Sequence, residues 1–251
     1  MKHSPIYAKR LAALLRRLKQ SASAAETKSR PPLMQLIHAF LSYDAAARQA
    51  DTAMRRLEES LIDLNDLRVS DPYDLAAIVG DDYPNVLVRC ARLKQALNSI
   101  YHREHAMALE VIAKKSKTDA RNYLESLEGM IPFVSASVML FCLDGHAIPV
   151  DQQLRDRLAD NGVVDPHATI QEIQAFIENH ISHSQAAQVH GLLRAYVEKN
   201  IKVKLAPLKL PAPKVPPKIA APQPKVAARI HHRPPKTRKP PARSHGKKNR
   251  R

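Results

Sequence analysis

One carboxylate and one glycine stand out as residues that could do chemistry together. Gly129 lies in Leu127-Glu128-Gly129-Met130-Ile131-Pro132-Phe133, a short turn between two helical patterns. Asp151 follows Val150, 24 residues after Leu127, where the next helical pattern opens. A glycine turn can present backbone N–H groups to a phosphate oxygen. A lone carboxylate in a water-poor site can stabilise a developing cation, or orient and deprotonate a water, because opposite charges a few ångströms apart there interact by several kcal/mol. Asp is also a preferred helix N-cap, and capping of a helix from Gln152 to Ala159 accounts for the same residue without any chemistry.

Other chemistries find less support. His102 with His105, and His180 with His183, are spaced i, i+3 within reach of one metal, but no third ligand is placed beside either pair. Solvated or core histidines are expected there, and no metal. With six glycines in all and no Gly-x-Ser-x-Gly, P-loop or Rossmann pattern, nucleotide binding is not expected. Cys90 and Cys142 sit in apolar helical runs and read as small buried hydrophobes in a reducing compartment.

The elements that must position Gly129 and Asp151 are helical throughout, and no convincing strand appears. Ile6, Leu11, Leu14, Leu15 and Leu18 predict an amphipathic first helix, interrupted by cations too often to serve as a secretory signal; an Arg-rich transit peptide is the alternative. After a small, polar linker, Pro31-Pro32 opens a helix through Leu33, Leu36, Ile37, Phe40 and Leu41. A bend near Ser42 to Ala46 leads to another stripe through Ala53, Leu57, Leu61 and Leu64. Ser70-Asp71-Pro72 starts a short helix that Gly80 stops, and Asp81-Asp82-Tyr83-Pro84 begins the next, through Ile100. One further helix is expected around Leu109, Val111 and Ile112, and one over 118–127 leading into the Gly129 turn. Ser135 to Leu143 is apolar nearly all round and so predicted to be buried. Two later helices carry Ile170, Ile173, Phe176 and Ile177, then Val189, Leu192, Leu193, Tyr196 and Val197.

Charge is segregated. Of 40 Lys plus Arg, 16 lie in residues 201–251, which hold no carboxylate and 11 of the 19 prolines, so residues 1–200 carry 24 cations (40 less 16) against 24 acids. That tail reads as a disordered, extended polycation, and Lys214, Lys218, Lys236, Arg238, Lys239, Lys247 and Lys248 are its candidate phosphate contacts, sequence-independent and salt-dependent. The organisation expected is 1–30 as a helix and linker, 31–199 as the helical domain with its hairpin at about 127–137, and 200–251 as the tail.

The helix, the Leu127-to-Phe133 turn and the spacing to Val150-Asp151 resemble the helix-hairpin-helix DNA glycosylases, of which endonuclease III is the best-known branch. The resemblance implies an all-α, two-lobed fold, phosphate contacts from Gly129, Met130 and Ile131, and Asp151 as the catalytic carboxylate. The family hairpin reads Leu-Pro-Gly-Val-Gly, and here Glu128 replaces Pro, Met130 replaces Val, and Ile131 replaces the second Gly, where a β-branched side chain resists positive φ. Phe133 stands where lyase members carry a Schiff-base Lys, so that route is closed. Gln152 and Gln153 replace a Thr-His pair, and Asp156 replaces an Arg. Leu41-Ser42-Tyr43-Asp44 is similar to the family's Leu-Ser-Ala-Gln, whose Gln faces DNA; an anion is a poor substitute, and a surface helix end is expected. His190-Gly191-Leu192-Leu193 resembles the helix before the iron–sulfur loop of endonuclease III, but no Cys follows Cys142, so no cluster or other cofactor is expected.

The resemblance implies a base-excision-repair protein, a monofunctional N-glycosylase if active, bound to duplex DNA through hairpin and tail. The alternative is a catalytically degenerate descendant that binds DNA or RNA architecturally; a third reading is a helical interaction module addressing ribosomes or RNA. No stretch approaches a membrane span, secretion is not expected, and the nucleoid or nucleus is the compartment implied.

Overall fold

The protein is seen in a computed structural model that describes residues 4–21, 30–80, 82–203 and 205. Lys214, Lys218, Lys236, Arg238, Lys239, Lys247 and Lys248 all lie outside the described residues, as does the tail's expected disorder. The described residues form eleven α-helices and no strand. None of these helices is long and apolar enough to cross a membrane.

Local chemistry sets most of the boundaries. Helix α1 runs Ser4–Ser21, and α2, Pro32–Ser42, carries Pro in its first turn, where a missing N–H costs nothing. After the corner at 43–46, α3 covers Ala47–Ser60. Asp63 caps α4, Leu64–Val69, by accepting from the Asp66 amide, and Asp71 caps α5, Pro72–Val79, which ends at Gly80 with φ +117°. Helix α6, Val86–Glu104, is followed by a 3-10 turn at Glu110–Lys114. Ser116 caps α7, Lys117–Glu125; α8 is Pro132–Cys142 and α9 is Gln152–Asp160. A Thr169/Glu172 capping box opens α10, Ile170–Glu178, and α11 is Ala186–Glu198.

Three expected elements differ. The stripe expected to run through Leu64 breaks at Leu61, because the Asp66 carboxylate takes the Ile62 amide and Asp63 starts a new helix. The helix expected from Asp81 starts at Val86, behind Pro84 and a left-handed Asn85 (φ +51°). The helix expected around Leu109 is only the 3-10 turn, since His105 has already turned the chain at φ +51°.

Two apolar cores result. The first gathers α2 to α8, with Leu36, Phe40, Leu97, Leu124 and Val134 at its centre, and α2 packs along α8. The second gathers α1 with α9, α10 and α11: Tyr7, Leu11, Leu14 and Leu18 are wholly buried against Ile148, Leu158, Ile173 and Tyr196. The chain therefore begins in one lobe, builds the other, and returns. Helix α1 shares a core with the last helices, and packing continues past Asn200, where Ile201, Val203 and Leu205 lie against the same core.

Candidate functional site at the lobe junction

The α7–α8 hairpin is tight for reasons internal to the lobe. Gly129 has φ +71°, a conformation that disfavours a side chain, and a Cβ there would run into the Arg92 carbonyl and the Gln95 side chain (2.9 Å) of α6. The glycine thus lets the turn lie on the α6 backbone. Arg103 ties the approach by donating to Ser126 Oγ (2.8 Å) and its carbonyl (2.6 Å). Leu127 and Ile131 are buried anchors, and Met130 is half-buried. Ile131 is extended, φ −123°, so the chain satisfies its β-branched side chain by giving up the second left-handed residue of the family turn.

Asp151 is 1% exposed and caps α9, its Oδ1 accepting from the Leu154 amide at 2.9 Å. Its Oδ2 accepts from Arg194 Nη1 at 2.8 Å, a pair in which the arginine side chain is only 13% exposed. Arg194 Nη2 donates to the Ala45 carbonyl (2.7 Å) and to Glu198 Oε1 (2.9 Å), and the same Glu198 oxygen accepts from the Ala47 amide (2.9 Å). From the other side Asp44, left-handed at φ +48°, accepts from the amides of Gln152 (2.9 Å) and Gln153 (3.3 Å). Two carboxylates therefore cap α9, one from each lobe, and the 43–47 corner is riveted to α9 and α11. Within its own lobe that corner is held by Arg89 and Tyr83, which donate to the Phe40 and Leu41 carbonyls that end α2.

Burial raises the Asp151 pKa above the ordinary carboxylate value, and Arg194 with the Leu154 and Asp44 amides pulls only part of the way back. His190, one turn before Arg194 on α11, is buried against Phe141 (ring centroids 5.4 Å), and its Nε2 has no hydrogen-bond partner among the described residues. Burial, aided by Arg194, lowers its pKa to about 3, so it is neutral and apolar in effect. Phe133 is buried and its ring packs on Tyr43 at 5.5 Å.

Next to Tyr43 opens a pocket of about 200 Å³, walled by Phe40, Asn85, Val88, Arg89, Arg92 and Ile131. Asp151 is not among its walls. Arg92 is exposed on the α6 turn that carries the hairpin, and Val88 is 58% exposed beside it. Hairpin, Arg92 and Tyr43 thus share one face of the first lobe, with Asp151 behind them at the lobe junction. Glu128 is exposed, and Asp156 turns to Arg155 (2.7 Å) and Gln152 (2.8 Å).

The histidine pairs do not converge with other ligands. His183 bonds the Asp144 carbonyl (2.8 Å), His180 packs on Phe176 (4.5 Å), and among the described residues no group of three possible ligands could hold a metal. Cys90 is buried, Cys142 half-buried, and burial pushes both thiols up to about 11, which leaves them inert. Sequence reasoning missed Arg194 and the capping role of Asp44. A signal for the first existed: Arg194 is the one cation of its helix, flanked by Leu193 and Ala195 in an apolar run, and such a residue buries its stem and seeks a carboxylate.

The described residues, eleven helices in two lobes with a tight α7–α8 turn and a helix-capping Asp at the junction, have the fold of solved DNA glycosylases. Among solved structures the chain is similar to the 8-oxoguanine glycosylase/lyase of Clostridium acetobutylicum in complex with dsDNA, at TM-score 0.60 and 17% identity, covering 77% of this chain and 69% of that one. It is similar to endonuclease III in a trapped covalent DNA intermediate (TM-score 0.59, 14% identity, 75% and 85% covered). A third is the H. pylori 3-methyladenine DNA glycosylase MagIII bound to 1,N6-ethenoadenine (TM-score 0.59, 16% identity, 78% and 99% covered). At such identities the likeness is one of fold. No protein-family model and no curated protein matches the chain.

Proposed function

We propose that the chain is a duplex-DNA-binding protein built on the glycosylase fold, in which Asp151 holds the two lobes together instead of acting on a nucleotide. The observation that carries this reading is the burial of Asp151 under Arg194. A carboxylate that stabilises a sugar cation must meet the sugar, and this one has a guanidinium on one oxygen and a helix amide on the other. Phe133 supports the same conclusion, since a phenyl ring supplies neither nucleophile nor proton.

Binding would use the hairpin backbone around Gly129, Met130 and Ile131, the exposed Arg92 beside it, and the tail cations, which neutralise phosphates without reading bases. The second reading, a monofunctional glycosylase, is favoured by one feature: the Leu127-to-Asp151 spacing of active relatives is kept. It requires Arg194 to withdraw when a flipped nucleotide arrives.

The test is a fluorescence-anisotropy titration of a duplex with the full chain at two salt concentrations. Arg92→Gln is expected to weaken binding uniformly across sequences and to make the log–log salt slope shallower by about 1. Wild-type protein without duplex affinity would refute the reading.

A further inference from the structure

Helix α1 carries Lys9, Arg10, Arg16, Arg17 and Lys19 and no acid over its 18 residues. Its apolar face is wholly committed, with Tyr7, Leu11, Leu14 and Leu18 buried in the second core. Arg10 is committed too: its Nε donates to the Gly162 carbonyl (2.5 Å) and its Nη2 to that of Asn161 (2.9 Å), fastening α1 to the turn after α9. Lys9, Arg16, Arg17 and Lys19 are exposed, and none of the four forms an ion pair among the described residues.

At 3.6 residues per turn, Lys9, Arg16 and Lys19 fall within about 80° of one another, and they span about 15 Å along the axis. That length covers about four phosphates of one DNA strand at ~3.4 Å of axial rise each. Beside the stripe runs a shallow trough of about 460 Å³, floored by Ala8, Leu11, Ala12, Leu15 and Ile181. Arg16 and Lys19 line it from α1 and His180 from the end of α10. Two alanines keep the floor low, so a strand backbone can approach the helix within reach of Arg16 and Lys19.

We infer that the exposed face of α1 is a second, sequence-independent contact for nucleic-acid phosphates, on the lobe that does not carry the hairpin. This deepens the DNA-binding reading and rests on it. A cationic face fixed to a folded core needs little ordering on binding, so its phosphate contacts are won at small entropic cost. Contacts from both lobes would also explain why a junction as heavily riveted as Asp151–Arg194–Glu198 is useful: it holds two phosphate-binding surfaces in one register.

The experiment uses the full chain with Lys9, Arg16 and Lys19 all changed to Gln, which keeps helix propensity and leaves the buried face alone. Melting curves should coincide with wild type. In duplex titrations over several salt concentrations, the log–log slope should become shallower by about 2–3, with about tenfold or greater loss of affinity at low salt. An unchanged slope with wild-type duplex binding intact would overturn the inference and leave the DNA-binding reading standing. An unchanged duplex slope with lost binding to phosphatidylserine-containing vesicles would also overturn it, assigning the stripe to a membrane surface. Absence of duplex binding by the wild type would remove both the inference and the reading beneath it.

Discussion

Replacing Arg194 by Met keeps the stem and removes the guanidinium, leaving Asp151 buried with backbone amides but no counter-charge. Removing one partner of a buried ion pair costs about 3–5 kcal/mol; with Arg194 at 13% exposure and the Leu154 amide retained, the lower end, about 3 kcal/mol near neutral pH, is expected. The loss should depend on pH with a defined sign. The folded-state pKa of Asp151 already lies above the ordinary value, so the native state holds this proton more tightly than the unfolded chain does, and stability falls as pH rises through the folded value. Arg194 is the largest influence opposing that rise. Without it the folded value moves further up and the window of loss extends toward neutrality. The groups facing Asp151 are Arg194, Asp44 and Tyr43, with His190 one turn away; relief of His190 from Arg194 acts in the same direction. Urea unfolding at about pH 7.5 and about pH 5 should therefore show a larger deficit at the higher pH, about 3 against about 1–2 kcal/mol, at unchanged m. Asp151→Asn in the Arg194→Met background should remove most of the difference. Equal deficits at both pH values, or a double variant as pH-dependent as the single one, would refute the reasoning.

Further outcomes follow from the same packing. His190→Leu should be neutral or stabilising by about 1 kcal/mol, since Nε2 is buried without a hydrogen-bond partner among the described residues. It should also flatten acid sensitivity: the unfolded chain takes up this proton near pH 6.5 while the native state refuses it until about 3, so wild-type stability falls as pH drops through that window. Gly129→Ala should cost about 3 kcal/mol, read as a lowered melting temperature, because φ +71° and contact with the α6 backbone both oppose a Cβ. A chain ending at Leu205, which keeps the residues packed on the second core, should lose most duplex affinity and much of its salt slope in the same titration.

The helices were legible where caps and stripes agree. Asp71-Pro72 with Gly80, Ser116 before α7 and Asp151 before α9 each carry a local reason for the boundary found. Boundaries slipped where carboxylates take backbone amides inside an apolar stripe, as Asp66 takes that of Ile62 and Asp63 that of Asp66, which breaks the α3 stripe. Asp151 was legible as a helix N-cap and Gly129 as a tight turn, but periodicity carries no record of what faces them. Arg194 lies 43 residues beyond Asp151 and Asp44 lies 108 before Gln152, so the contacts that bury the carboxylate exist only once both lobes have formed. The same holds for α1: its stripe predicts an amphipathic helix, and only the fold shows that its apolar side completes the second core.

The most direct test of Asp151 as a structural residue is release of free base from a panel of damaged and mismatched duplexes, followed by alkali to reveal abasic sites, for wild type and Asp151→Asn. Duplex binding without base release above background from either protein is the expected result. Base release by the wild type that disappears in Asp151→Asn would contradict it, and would make Arg194 a group that moves aside for a flipped nucleotide.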